Sequence, residues 1–165
     1  MNFGGKEDAQ IESWARKFEE NKLTDDPRYS ELVRERTRRR QTRQKLDFGT
    51  SLEHLKRAAI AREFTSYGQL AAASGVDWKN ARHQINGAHG HLDTLLDICH
   101  TEGLPLLTAI CVNQQNLHSG KLSEDALEGF VEGAKRLGIS LTSAESFHEE
   151  CVRKCFEWGE NNKRA

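Results

Sequence analysis

Apolar residues recur at helical spacing along most of the chain, and this pattern predicts a mainly α-helical fold. A first short amphipathic helix has one apolar stripe, formed by Ile11, Trp14 and Phe18. A second helix is expected to begin at Asp26 as N-cap with Pro27 in the first helical position, and it could extend to about residue 46. Its second half has almost no apolar residues, so packing alone is not expected to hold it.

A hinge is predicted at Phe48 and Gly49, before a third helix. Thr50 and Glu53 have the spacing of a capping box at the start of that helix. Residues 1–47 are therefore interpreted as a helical extension, and residues 48–165 as the main domain.

The segment from residue 64 to residue 86 predicts a helix-turn-helix. Thr65 can cap a short helix, Gly75 can supply the left-handed residue that ends it, and Asp77 can cap a second helix. The second helix would bury Trp78, Ala81 and Ile85. Its opposite face carries side chains suited to hydrogen bonding with DNA, namely Lys79, Asn80, Arg82, His83 and Gln84. In a helix-turn-helix, this second helix enters the major groove.

The C-terminal half predicts three more helices and one strand. A helix between Gly87 and Gly103 has a continuous apolar stripe made of Leu92, Leu95, Leu96 and Cys99. Residues 108–112 are the best strand candidate by their β-branched and apolar content, and residues 113–120 would form a wing. Ser123 is expected to cap the next helix, and Thr142 with Glu145 the last.

Charge changes this picture at one place. The formal net charge is only −1, but seven basic residues lie between residues 34 and 45, against one acid, Glu35. On a helix, Arg36, Arg39, Arg40 and Arg43 can occupy one face, which would suit DNA phosphates or an acidic protein surface. A solvated helix or a disordered arm is the alternative interpretation.

The composition favours a soluble protein of the cytoplasm. Only 36% of the residues are apolar, and no window approaches the roughly 18 consecutive apolar residues of a membrane helix. No secretory leader is recognisable, and four irregularly spaced cysteines are expected to be reduced thiols. No membrane association is expected.

The motif Ser66-Tyr67-Gly68-Gln69-Leu70-Ala71-Ala72, followed by Gly75 and by Ala81-Arg82, resembles the DNA-binding half of the alkylguanine DNA alkyltransferases and alkyltransferase-like proteins. The resemblance covers roughly residues 64–119 and implies a winged helix-turn-helix. It also implies that Tyr67 presses on the DNA backbone beside a flipped nucleotide, and that Arg82 enters the base stack. The turn before Arg82 is one residue longer here, and the helix between Gly87 and Gly103 is an insertion.

The chemistry of that family is not expected here, because its Pro-Cys-His-Arg motif is missing. Ile110 occupies the nucleophile position, and Cys111 lies one residue later without an adjacent His or Arg that would lower its pKa. We therefore expect no catalytic residue and no cofactor. Cys151 and Cys155 at i, i+4, with Cys99 and His100, could approach a metal, but buried thiols are the preferred interpretation and no metal site is predicted.

Two functions from different classes remain open. The first is a non-catalytic protein that binds double-stranded DNA through Tyr67, the polar face at residues 79–84 and the basic face at residues 36–43. The second is a protein-binding accessory or inhibitor of a nuclease or defence system carried by a phage or plasmid. Residues 104–158 resemble uncharacterised domains found beside HNH-type nucleases, although the nuclease motif itself is absent.

Purely structural roles are the alternative for three of these residues. Tyr67 and Trp78 could be core residues, and Arg82 could pair with Asp77 or Asp97. The oligomeric state is not indicated by the sequence.

Overall fold

The structure is a computed structural model that describes residues 1–87 and 89–163. Its described part is mainly helical, as the hydrophobic spacing predicts. The helices are α1 (Asp8–Glu20), α2 (Pro27–Gln41), α3 (Phe48–Ala61), α4 (Tyr67–Ala73), α5 (Trp78–Ile85), α6 (His91–Thr101), α7 (Glu124–Arg136) and α8 (Ala144–Asn161). The helix predicted between Gly87 and Gly103 is confirmed as α6, and Leu95, Leu96 and Cys99 on its stripe are buried.

Two very short strands form the sheet of the described residues. Strand β1 (Thr65–Ser66) pairs in parallel with β2 (Cys111–Val112), with Thr65 opposite Cys111. The strand predicted at residues 108–112 is therefore wrong for its first part, since Leu107–Ile110 is a 3₁₀ turn. All four side chains of that turn are buried because it runs between α3, α6 and α8, where helices surround it instead of neighbouring strands. In the predicted wing, Gln114–Asn116 is a second 3₁₀ turn.

The starts of three helices differ from their prediction by one to three residues. The Asp47 carboxylate accepts a hydrogen bond from the Thr50 backbone N–H at 2.7 Å, so Phe48 and Gly49 belong to α3 and do not form a hinge. Ser66, not its neighbour, caps α4, and Gln69 completes a reciprocal capping box. Ser143 caps α8 in place of Thr142. In each case a residue one to three positions from the predicted cap has the extended backbone that an N-cap requires.

The first two helices belong to the same core as the rest of the chain. Ala15 of α1 and Tyr29 of α2 join one cluster of buried side chains with Leu55, Leu95 and Cys155. The Thr24 hydroxyl donates to the Leu137 carbonyl. The N-terminal extension is thus packed onto α6 and α7.

The basic half of α2 is held by buried ion pairs and not by apolar packing. Arg36 is 4% exposed and donates to Asp97 on α6 at 2.7 Å. Arg136 of α7 contacts the other oxygen of Asp97, and both arginines reach Glu19 of α1. We call Glu19, Arg36, Asp97 and Arg136 the Asp97 cluster.

Arg40 is held in a similar way beside this cluster. It is 4% exposed, and it donates to the Thr94 hydroxyl at 2.8 Å and to Glu12 at 2.9 Å. Burial alone lowers the pKa of a guanidinium, but attraction to Asp97 and Glu19 raises the pKa of Arg36 above its usual value, so Arg36 stays charged. Burial raises the pKa of Asp97, and attraction to Arg136 and Arg36 opposes that shift. Arg36 and Arg40 therefore do not form a phosphate-binding face, and that prediction is wrong for both.

Candidate nucleic-acid interface

Helices α4 and α5 are joined by the predicted glycine turn. Gly75 has a φ of +71°, the left-handed conformation that glycine adopts without steric cost. The Val76 backbone N–H donates to the Ala71 carbonyl at 3.1 Å, which closes the end of α4. The chain then extends through Asp77 and begins α5 at Trp78, although the Asp77 side chain makes no capping bond.

Helix α5 is anchored by two small or medium apolar residues and exposes most of its other side chains. Ala81 and Ile85 are fully buried, as the spacing predicts. The side chains on the outer face are exposed; they are Lys79, Asn80, Arg82 and His83. Gln84 is half-buried, and its Oε1 has no hydrogen-bond partner within the described part of the chain.

Trp78 does not share the buried face, contrary to prediction. It is 41% exposed, and its ring stacks on Tyr67 with centroids 6.2 Å apart and planes 16° from parallel. The reason is its position at the start of α5, where the ring covers α4 from outside. The outer surface of α5 therefore includes an aromatic ring as well as polar groups.

The cations of α5 have no carboxylate partners among the described residues. No Asp or Glu oxygen there lies within 4.0 Å of a Lys79 or Arg82 nitrogen. The alternative pairing of Arg82 with Asp97 does not occur, since Arg36 and Arg136 occupy that carboxylate. Pairing with Asp77 does not occur either.

A second basic segment lies beside the α4–α5 turn. The Asp47 backbone N–H donates to the Ser74 hydroxyl at 3.0 Å, and Gln44 Oε1 accepts from His91 Nδ1 at 2.7 Å. These bonds place residues 42–47 between the turn and the start of α6. Two exposed cations, Arg43 and Lys45, belong to this segment. Sequence reasoning included Arg43 but left out Lys45.

Arg39, another arginine of the predicted basic face, makes its ion pairs and hydrogen bonds within the protein. Arg39 has 15% of its side chain exposed and pairs with Glu35 at 2.8 Å and with Asp8 at 2.9 Å. It also donates to the Lys6 carbonyl at 2.7 Å. Arg43 is 56% exposed and reaches Asp8 only at 3.4 Å. Of the four predicted arginines, Arg43 alone presents a largely exposed side chain.

Tyr67 is not on the outer surface that the family resemblance implies for it. The side chain is 6% exposed, lies at the first position of α4 and faces a groove. Desolvation raises the pKa of the Tyr67 hydroxyl far above its usual value, so it stays neutral. Ser66 caps α4 and fixes the backbone here, which turns the ring inward beneath Trp78.

All four cysteines are buried free thiols. Burial raises the pKa of Cys99 to about 12 and of Cys151 to about 11, and it raises the pKa of Cys111 still further. A thiol in this state is a poor nucleophile because the thiolate is the reactive form. Cys111 accordingly has the environment expected of a packing residue.

A groove of about 770 Å³ opens next to the C-terminal end of α5. Tyr67, Cys111 and Thr108 lie at its base, and α6 and α7 form its two walls. Sequence reasoning missed it. One signal was present, a pair of glycines at i, i+4 in the predicted α7, Gly129 and Gly133.

Comparisons with protein-family models, with curated proteins and with solved structures found no match for this chain. Among residues 1–87 and 89–163, no three His, Cys, Asp or Glu side chains are grouped so that they could hold a metal ion. No helix in that part of the chain combines the length and the apolar composition needed to cross a membrane. Inferences about function therefore rest on the site itself.

Proposed function

We propose that this chain is a non-catalytic DNA-binding protein that places α5 in the major groove of a duplex. The observation that carries the proposal is the outer face of α5. Its cations are exposed and without carboxylate partners in the described residues, while Ala81 and Ile85 anchor the helix from behind. Lys, Arg, Asn and His are residue types that bind base edges and phosphates.

The alkyltransferase-like resemblance supports a finer version of this proposal, a winged helix-turn-helix. The order of short helix, glycine turn and second helix fits that expectation, and so does the exposure of Arg82. Arg82 is the side chain we assign to base contact. Trp78 lies four residues earlier on the same helix and could stack on a nucleotide.

The phosphate contacts belong to a different set of cations from those the sequence suggested. Arg36 and Arg40 are buried in ion pairs within the protein, and Arg39 pairs with a carboxylate on its own helix. We assign phosphate binding to Lys79 on α5, and to Arg43 and Lys45 on the adjoining segment. The protein-binding alternative invoked the basic face of α2 as its docking surface, and the burial of that face removes the support for it.

The test is the salt dependence of duplex binding. Lys45→Ala with Lys79→Ala removes two of the assigned phosphate contacts and should flatten the plot of log affinity against log salt by about 0.9 for each DNA phosphate that the variant no longer neutralises. The matched control is Arg153→Ala with Lys154→Ala, which removes two exposed cations from α8 and should leave the slope unchanged. Duplex affinity that does not vary with salt in the unmodified protein would refute the proposal.

Arg82 can be tested separately for a base contact. Arg82→Ala should lose about 1–3 kcal/mol of binding free energy on a preferred duplex and less on random sequence. Arg82→Lys keeps the charge without the planar fork, so it should restore only part of the loss. Thermal unfolding of the same variants checks that the fold is intact. Unchanged DNA affinity in a folded Arg82→Ala protein would exclude α5 as the recognition helix.

A further inference from the structure

The groove between α6 and α7 has the dimensions and lining of a small-molecule site. Its volume of about 770 Å³ lies within the range of roughly 300–1,000 Å³ that is common for ligand pockets. The walls are mostly apolar and are formed by Ile85, Leu92, Leu96, Leu122 and Phe130. A groove of this size accommodates a ligand with an apolar body of one or two rings, whereas a partner helix needs a longer apolar track.

A stripe along α7 gives one wall of the groove an acidic edge. Asp125, Gly129 and Glu132 are spaced at i, i+4 and i+7, so they share one face of the helix. Both carboxylates are exposed, and no Lys, Arg or His nitrogen in residues 1–87 and 89–163 lies within 4.0 Å of them. They lie about 10 Å apart along the helix axis. Arg136 also lines the groove, but its guanidinium already pairs with Asp93, Asp97 and Glu19.

Gly129 has no packing reason to be glycine. Glycine in the middle of a helix is unfavourable, because it loses more conformational freedom than other residues. At Gly133 the cost is explained, since a Cβ there would lie 2.5 Å from Leu96 Cδ2 where α7 crosses α6. At Gly129 a Cβ would meet no atom within 4 Å. The missing side chain at Gly129 leaves a notch between the two carboxylates. The packing of α7 against its neighbours does not require this notch.

We propose that the groove binds a small organic cation, with the apolar part of the ligand on Leu92, Leu96 and Phe130 and its ammonium group in the notch between Asp125 and Glu132. The unpaired carboxylates attract the positive charge, and the apolar walls exclude water from the rest of the ligand. The hydroxyl groups of Tyr67 and Thr108 provide neutral hydrogen-bonding partners at the base. This site is separate from the outer face of α5, so the inference does not depend on DNA binding.

The experiment compares three probes that share a naphthylmethyl body and differ in charge: naphthylmethylammonium, naphthylmethanol and naphthylacetate. Each is titrated into the full chain at low salt, and binding is followed by the backbone amide NMR signals of α7. The cation should give saturable shifts at Gly129 and Gly133 and bind about tenfold more tightly than the anion, with the neutral probe between them. Absence of saturable shifts with the cation, or equal binding of the anion, would overturn the proposal.

Two variants and one control complete the test. Gly129→Leu fills the notch and should abolish binding of the cation, while the fold is retained because leucine is the better helix former and meets open space. Asp125→Asn with Glu132→Gln keeps the shape of the groove and should make the three probes bind equally. Glu128→Gln removes an exposed carboxylate outside the groove and should change nothing. Wild-type discrimination between cation and anion in the Asp125→Asn, Glu132→Gln protein would refute the assigned carboxylates.

Discussion

His91 shows how one buried residue makes the fold sensitive to pH. Its imidazole is fully buried and stacks on Phe48 with ring centroids 4.7 Å apart. Ser51 and Gln44 each lie 2.7 Å from one of its ring nitrogens. Burial lowers the pKa of His91 to about 4, because charging the ring here would cost its hydration. Asp47 opposes this shift but does not cancel it.

We predict that His91 destabilises the fold as pH falls from about 6.5 to about 4. In that window the unfolded chain binds a proton at residue 91 and the folded chain does not, so the free energy of unfolding decreases with falling pH. The full shift corresponds to a loss on the order of 3 kcal/mol. The His91→Gln variant has no imidazole at residue 91, so its stability lacks this pH-dependent contribution. The stability advantage of the wild type over this variant should therefore shrink between pH 7 and pH 4.

Urea unfolding at a series of pH values measures this effect. His118→Gln, at an exposed position, is the control for removing an imidazole from the chain. A constant stability difference between wild type and His91→Gln across the range would show that His91 is not held neutral by burial. Subtracting the variant from the wild type also removes the contribution of the acidic residues that titrate in the same range.

At the scale of elements, α2 is a core helix stabilised by charge. Tyr29, Leu32 and Val33 bury its first half in the usual way. The second half is buried through Arg36 and Arg40, whose charges are matched by Asp97 and Glu12. A buried ion pair adds little over an apolar contact of the same size, but loss of one partner leaves the other charge without compensation.

We predict that Arg36→Ala destabilises the protein by about 3–5 kcal/mol, because it leaves the carboxylate of Asp97 buried with one of its two cations removed. The matched variant is Arg38→Ala on the same helix, where 66% of the side chain is exposed and Glu35 is the partner. That change should cost about 0–1 kcal/mol. Chemical denaturation measures the free energy of unfolding of both variants. Equal small losses of that free energy would mean that the Asp97 cluster does not hold α2.

The helices that the sequence predicts well are those defined by local signals. For α4 and α5, the turn at Gly75 and the spacing of Ala81 and Ile85 lie within one short segment, and the cap of α4 is Ser66, one residue after the predicted Thr65. The placement of α2 depends instead on Asp97, 61 positions away. No local pattern distinguishes an arginine that faces a distant carboxylate from one that faces solvent. The outer face of α5 was predictable for this reason, and the burial of Arg36, Arg40 and Tyr67 was not.

At the scale of the whole molecule, the two ends of the chain meet in one structure. The Asp97 cluster joins α1 through Glu19, α2 through Arg36, α6 through Asp97 and α7 through Arg136. The core cluster continues from Ala15 to Cys155. Shared buried contacts of this kind couple the unfolding of the parts that make them. The N-terminal helices therefore contribute to holding α6, which contacts α5.

We predict that residues 1–47 and the remaining chain unfold together in a single transition. The three tryptophans report on three regions: Trp14 on α1, Trp78 on α5 and Trp158 on α8. In variants that keep one tryptophan and carry Phe at the other two positions, fluorescence and far-UV circular dichroism should give the same urea midpoint within each variant. Circular dichroism is the internal control, since replacing a tryptophan can shift the midpoint itself. If the Trp14 signal changes at lower urea than the helix signal of the same protein, α1 and α2 form a separate unit that unfolds first, and the Asp97 cluster does not couple them to α6.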